Sequence, residues 1–264
     1  MAKKIRFPLP VSILILALLG GGGIGALVNL WVIPAAWPWE MPLLAHRFLA
    51  GAAAAYFVGS SIVLRKSTWL AAELLILSVL VYGFPLVGAI GVSANLIDWT
   101  KGVAWLFVGI VTPAVIICLS YGWAKREDVQ FTHPLNGPTR RFLFALGLLS
   151  GLVGVVVFLI PKQAGFIWPW AVLAAWKPLD SRLIASMLLT ISSLAFYTHW
   201  RNDQDAWDVT AGMLWAYCLV AGLGLVLHAI ATPAFLAADV TYLVIFAGIS
   251  LISWQIHKQK GISK

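Results

Sequence analysis

The chain reads as an all-α, polytopic membrane protein of eight transmembrane helices, built as a tandem, same-orientation repeat of two four-helix units with both termini in the cytoplasm. Three observations carry that expectation. Its 264 residues are 61% hydrophobic and only 11% charged, with a mean hydropathy of +0.91, whereas soluble domains carry roughly 25% charged residues. Eight apolar segments each approach the ~20 residues a bilayer-spanning helix needs, near 11–33, 43–64, 69–92, 102–124, 141–161, 179–199, 207–230 and 240–256. Finally, one pattern occurs twice: Trp37-Pro38-Trp39, Pro42-Leu43 and Arg47-Phe48-Leu49, then Trp168-Pro169-Trp170, Pro178-Leu179 and Arg182-Leu183-Ile184.

Span one follows Lys3, Lys4 and Arg6 as a secretory signal would. Its apolar run exceeds the 7–15 residues of a signal core, so it is expected to be a retained span. Gly21-xxx-Gly25 in span one and Gly147-xxx-Gly151 with Gly154 in span five mark faces where helix backbones approach closely. These two spans are expected to pack tightly and could pack against each other. The four consecutive glycines Gly20 to Gly23 could instead unwind span one around a binding site, but their apolar neighbours offer a cargo no polar contacts.

Span two begins behind the first Trp-Pro-Trp loop, with His46 beside Arg47. Span three opens at Trp69 and carries Glu73 and Pro85, and Asp98-Trp99-Thr100 precedes span four. A polar segment containing Pro134, Gly137 and Pro138 then divides the chain into unit 1–126, a cytoplasmic linker 127–138 and unit 139–264. His133 in that linker has no neighbouring ligand and reads as a solvated loop residue. In the second unit Trp207 precedes span seven, where Gly222 and Gly224 suggest a bend, and Asp239-Val240-Thr241 is expected ahead of span eight. Matched positions lie 131 to 141 residues apart, implying small insertions in the second unit.

Cations set the orientation. With the N-terminus inside, thirteen of the 18 lysines and arginines fall in the cytoplasm: Lys3, Lys4, Arg6, Arg65, Lys66, Lys125, Arg126, Arg140, Arg141, Arg201, Lys258, Lys260 and Lys264. Five (Arg47, Lys101, Lys162, Lys177 and Arg182) fall outside, which satisfies the positive-inside rule of a multi-pass cell-membrane protein. The net charge of +8 is therefore a topology signal and a contact with anionic lipid headgroups, not a nucleic-acid surface.

The candidate binding or gate residues are Arg47, Arg182, Trp37, Trp39, Trp168, Trp170, His46, Asp98 and Asp239. Both arginines lie about one turn inside their helices, where they could pair within their own units, Arg47 with Asp98 and Arg182 with Asp239, to lower the cost of the charge. Facing a common cavity, they could instead bind an anionic group through bidentate hydrogen bonds. Eight of the 14 tryptophans (Trp31, Trp37, Trp39, Trp99, Trp105, Trp168, Trp170 and Trp176) cluster at the outer boundary, as an aromatic belt would. The rigid Trp-Pro-Trp pairs exceed what a belt requires and read as caps on the outer mouth of each unit.

No cofactor or metal is expected: Cys118 and Cys218 lack ligand spacing and His46 and His228 lack a haem-binding pattern. No HExxH, GxSxG or P-loop motif occurs, and no lysine stands in the middle of the last span. Without an evident catalytic site, the chain is expected to be a structural or accessory membrane subunit in contact with lipids and other subunits. The alternative is a transporter or lipid-binding protein that uses the seam between the units.

Overall fold

The computed structural model describes residues 6–31, 37–122, 134–172, 176–231 and 237–258. Among these residues eight α-helices run in order: α1 (Leu9–Trp31), α2 (Leu43–Lys66), α3 (Trp69–Val92), α4 (Gly102–Gly122), α5 (Gly137–Leu159), α6 (Pro178–Arg201), α7 (Gln204–Ala231) and α8 (Ala237–Lys258). There is no strand among the described residues. Helices α1 to α7 are long and apolar enough to cross a membrane, and α8 contributes a shorter apolar stretch, Asp239–Ser253. This is the build of a multi-pass membrane protein, in which each backbone polar group is satisfied within its own helix. Helix α5 takes in residues 137 and 138 of the expected linker. Linker residues 127–133 with His133, and the cations Lys3, Lys4, Lys125, Arg126, Lys260 and Lys264, lie outside the described residues.

Local sequence sets the sharp turns. Helices α2 and α6 each run 24 residues and end on residues in the left-handed conformation, Ser67 at φ 50° and Asn202 at φ 49°. In each case the cap's N–H bonds back four residues, to Val63 O and Thr198 O, and so satisfies one orphan carbonyl. A side-chain oxygen then starts the next helix: Thr68 accepts from Ala71 N and Asp203 from Asp205 N, as N-capping requires.

The interior is built from α2, α3, α6 and α7. In α6, 72% of the apolar window is buried, against 22% in α1 and in α5. Helix α2 packs along α7 and α3 along α6, while α1 lies on α2, α5 on α6, α4 on α3 and α8 on α7.

The glycines explain the outer packing, though not as the spacing suggested. Helix α1 continues unbroken through Gly20 to Gly23, which overturns the unwound-helix alternative. Gly22, not the Gly21-xxx-Gly25 pair as a unit, is the contact point: a Cβ there would lie 2.8 Å from Ala53 O and Phe57 N of α2, while Gly21 faces open space. Gly147, Gly151 and Gly154 abut Phe196, Ser192 and Leu189 of α6, and Ser192 Oγ donates to Gly147 O at 2.7 Å. The two glycine faces therefore seat α1 on α2 and α5 on α6. Helices α3 and α7 likewise run uninterrupted through Pro85 and through Gly222 and Gly224.

Candidate functional site

Both Trp-Pro-Trp loops fold into the bundle. Trp39, Trp168, Trp170 and Trp176 are 5%, 1%, 1% and 7% exposed, whereas Trp31 and Trp105 are 64% and 61% exposed. The belt expectation fails for these buried loop residues, whose flat rings fill gaps between helices.

In the first loop, Asp98 N–H donates to Pro38 O at 2.6 Å and Lys101 Nζ donates to Trp37 O at 2.8 Å. These bonds clamp the loop to the α3–α4 connection. The Trp37 ring stands edge-on to Trp39 and His46 at 5.1 and 5.2 Å. From here the Trp39 indole reaches α6, donating to a buried Asp180 Oδ1 at 2.9 Å, a carboxylate that also accepts from Lys177 N. At the surface, Lys177 meets the exposed Glu40 at 3.4 Å, a contact that contributes little.

In the second loop, two 3-10 turns, Gln163–Phe166 and Pro169–Val172, fold the chain so that Trp168 and Trp170 meet at 4.7 Å. Phe48 of α2 lies 5.4 and 5.5 Å from these rings, and Tyr242 of α8 lies 5.2 and 4.9 Å away. Trp170 donates to the buried Asp239 Oδ1 at 3.1 Å, and Tyr242 donates to Ile167 O. Each loop thus ends on an indole that holds a buried carboxylate, the arrangement that lets an acid be kept out of water.

The arginines depart from expectation. Arg47 is 7% exposed and crosses to α7, donating from Nη1 to Gly224 O at 3.4 Å. A Cβ on Gly224 would lie 2.7 Å from Arg47 Cβ, so the glycine makes room for the arginine. Asp98 is exposed and accepts from Thr100 N and Oγ1, and these bonds hold its carboxyl below the usual range. The expected Arg47–Asp98 pair is therefore not formed. Arg182 Nε donates to Phe158 O at 3.3 Å, one of the carbonyls left without a helical partner where α5 ends, and the ion pairs found among the described residues do not include Arg182 with Asp239. Asp239 lies within α8, not ahead of it, and is turned toward Trp170.

His46 is also buried, at 2% exposure. Asn29 Nδ2 donates to Gly25 O, which leaves Asn29 Oδ1 to accept from His46 Nδ1–H at 3.1 Å. The sequence reading passed over Asn29, although a lone amide in an apolar span was a signal. It also passed over the opposite end of the bundle, where Lys66 bridges Asp205 at 2.6 Å and Asp208 at 2.7 Å, tying the end of α2 to the start of α7. Among the described residues no group of three or more His, Cys, Asp or Glu is placed to hold a metal.

Comparison with known proteins finds no matching family model, no similar curated protein and no similar solved structure.

Proposed function

We propose that the chain is a duplicated four-helix protein, units 1–126 and 139–264, that serves as a structural or accessory subunit of the cell membrane, with both termini cytoplasmic and no catalytic site of its own. Helix register supports the duplication: α2 and α6, α3 and α7, and α4 and α8 begin 135 residues apart, at 43 and 178, 69 and 204, and 102 and 237. The left-handed caps Ser67 and Asn202 keep the same offset. Exchanging the units also maps α1 on α2 onto α5 on α6, and α2 along α7 onto α6 along α3. By contrast α1 and α5 begin 128 residues apart, at 9 and 137, so the insertion falls in the second Trp-Pro-Trp loop.

One observation carries the accessory reading: the two arginines expected at a gate lie against different helices, Arg47 on α7 and Arg182 on α5. Residues that served one cargo would face one space. Between the units, Gly51 and Gly59 of α2 instead press on Tyr217 and Met213 of α7, a packed junction and not a pathway. The test is to extract the tagged chain from its native membrane in lipid nanodiscs and weigh the particle. An accessory subunit is expected with a second membrane polypeptide at fixed stoichiometry; a lone chain that moves a solute across proteoliposomes contradicts the reading.

A second reading, a lipid- or anion-binding protein, is favoured by Arg47 Nε, which is buried with no hydrogen-bond partner among the described residues. A bound phosphate or carboxylate would satisfy it.

A further inference from the structure

The two units differ in how their outer helices meet. Helix α1 touches α4, whereas between α5 and α8 runs an open groove of about 600 Å³, floored by Leu214, Tyr217 and Cys218 of α7. Its α5 wall runs from Phe142 to Val153 and its α8 wall from Tyr242 to Ile252. At 1.5 Å per residue each wall is roughly 15 Å long, about half of a ~30 Å hydrocarbon core. The groove thus has the length of one leaflet. Its lining is almost wholly apolar, and of its three hydroxyls Ser150 donates to Leu146 O and Tyr242 to Ile167 O.

One end is charged. Arg141 stands four and eight residues before Ala145 and Leu149, which line the groove, so it continues their stripe one turn toward the helix start. Arg140 adjoins it, and both are exposed. A side chain at this position leans toward the N-terminus of its helix, past the end of the apolar wall.

We propose that this groove binds an anionic phospholipid, with an acyl chain along α5 and α8 and the phosphate on Arg140 and Arg141. The charge pair sits where a headgroup would lie if the chain filled the groove, the arrangement by which basic sites between helices take acidic lipids.

The experiment reconstitutes the full chain in nanodiscs of equal parts phosphatidylglycerol and phosphatidylcholine, then counts the lipids retained after detergent release by native mass spectrometry. Phosphatidylglycerol is expected to be retained preferentially, and Arg140→Gln with Arg141→Gln to reduce that preference by roughly ten-fold. Gly248 lines the groove and a Cβ on it would meet nothing within 4 Å, so Gly248→Phe should displace the lipid while the thermal midpoint stays unchanged. Equal retention of both lipids, unchanged retention in Gly248→Phe, or a photocrosslinker at Leu149 that captures a polypeptide in place of lipid would each overturn the proposal.

Discussion

Arg47 and Arg182 each stand fifth in helices of equal length, yet Arg47 crosses to α7 while Arg182 turns to α5. Their surroundings account for the difference. On the 135-residue register, Gly224 beneath Arg47 corresponds to Ala89 of α3, buried at 1% exposure. The missing Cβ at Gly224 admits the Arg47 stem, and a methyl at that depth would collide with it. Arg182 turns instead to the orphan carbonyl of Phe158, where α5 ends. The Arg47 stem thus depends on the absence of a methyl group at Gly224, because interiors packed this closely do not yield.

The largest effect should come from the seats of the outer helices. Gly22→Ala places its methyl 2.8 Å from the α2 backbone at Ala53 and Phe57 and should cost about 3 kcal/mol by denaturant titration in micelles. Gly147→Ala meets the Phe196 ring first, at 3.1 Å, a ring that is partly exposed and can swing aside, so it should cost well under half as much. Equal losses would show that the two seats are not distinguished by what they touch.

Next come the indole–carboxylate pairs. Trp39→Phe and Trp170→Phe each keep an aromatic ring, though a smaller one, and remove a bond to a buried acid, at an expected cost of about 1.5–3 kcal/mol each by thermal unfolding. A variant as stable as the native chain would mean that its acid needs no indole.

Gly224→Ala should cost about 1–2 kcal/mol through its clash with the Arg47 Cβ, and adding Arg47→Gly, which removes that Cβ, should give a double variant that loses less than the two single losses summed. Full additivity would disconnect the two residues.

Asp98 should matter least. Bonds from Thr100 depress its folded-state value, so its contribution is present above the ordinary carboxylate pKa and is lost as pH falls through the depressed one. Asp98→Asn should therefore lower the thermal midpoint slightly at neutral pH, with the gap to the native chain closing below about pH 4. A gap that is constant with pH would assign the effect to shape and not to charge.

The sequence made the helices legible because each is an uninterrupted apolar run: the expected starts 43, 69 and 102 coincide with those of α2, α3 and α4, and that of α5 falls four residues late. That last discrepancy arises because Asn136 caps the helix across Arg140 and Arg141, which were read as flanking charge. Side-chain partners were less legible. Gly21 and Gly22 are indistinguishable in a run of four glycines, and only the facing helix decides which is seated. A tryptophan near a helix end satisfies a belt and a buried loop equally, so Trp168 and Trp170 could not be separated from Trp31 by position. Asp98 and Asp239 look alike in sequence because each stands two residues before a threonine, yet one precedes α4 and the other lies inside α8.

The central claim, that the two arginines belong to separate packing sites and not to one gate, is tested most directly by a double-mutant cycle of Arg47→Ala and Arg182→Ala read by unfolding free energy. Separate sites predict losses that add within about 0.5 kcal/mol. A coupling of 1 kcal/mol or more, beyond that additive range, would contradict the account and return both residues to a single shared site.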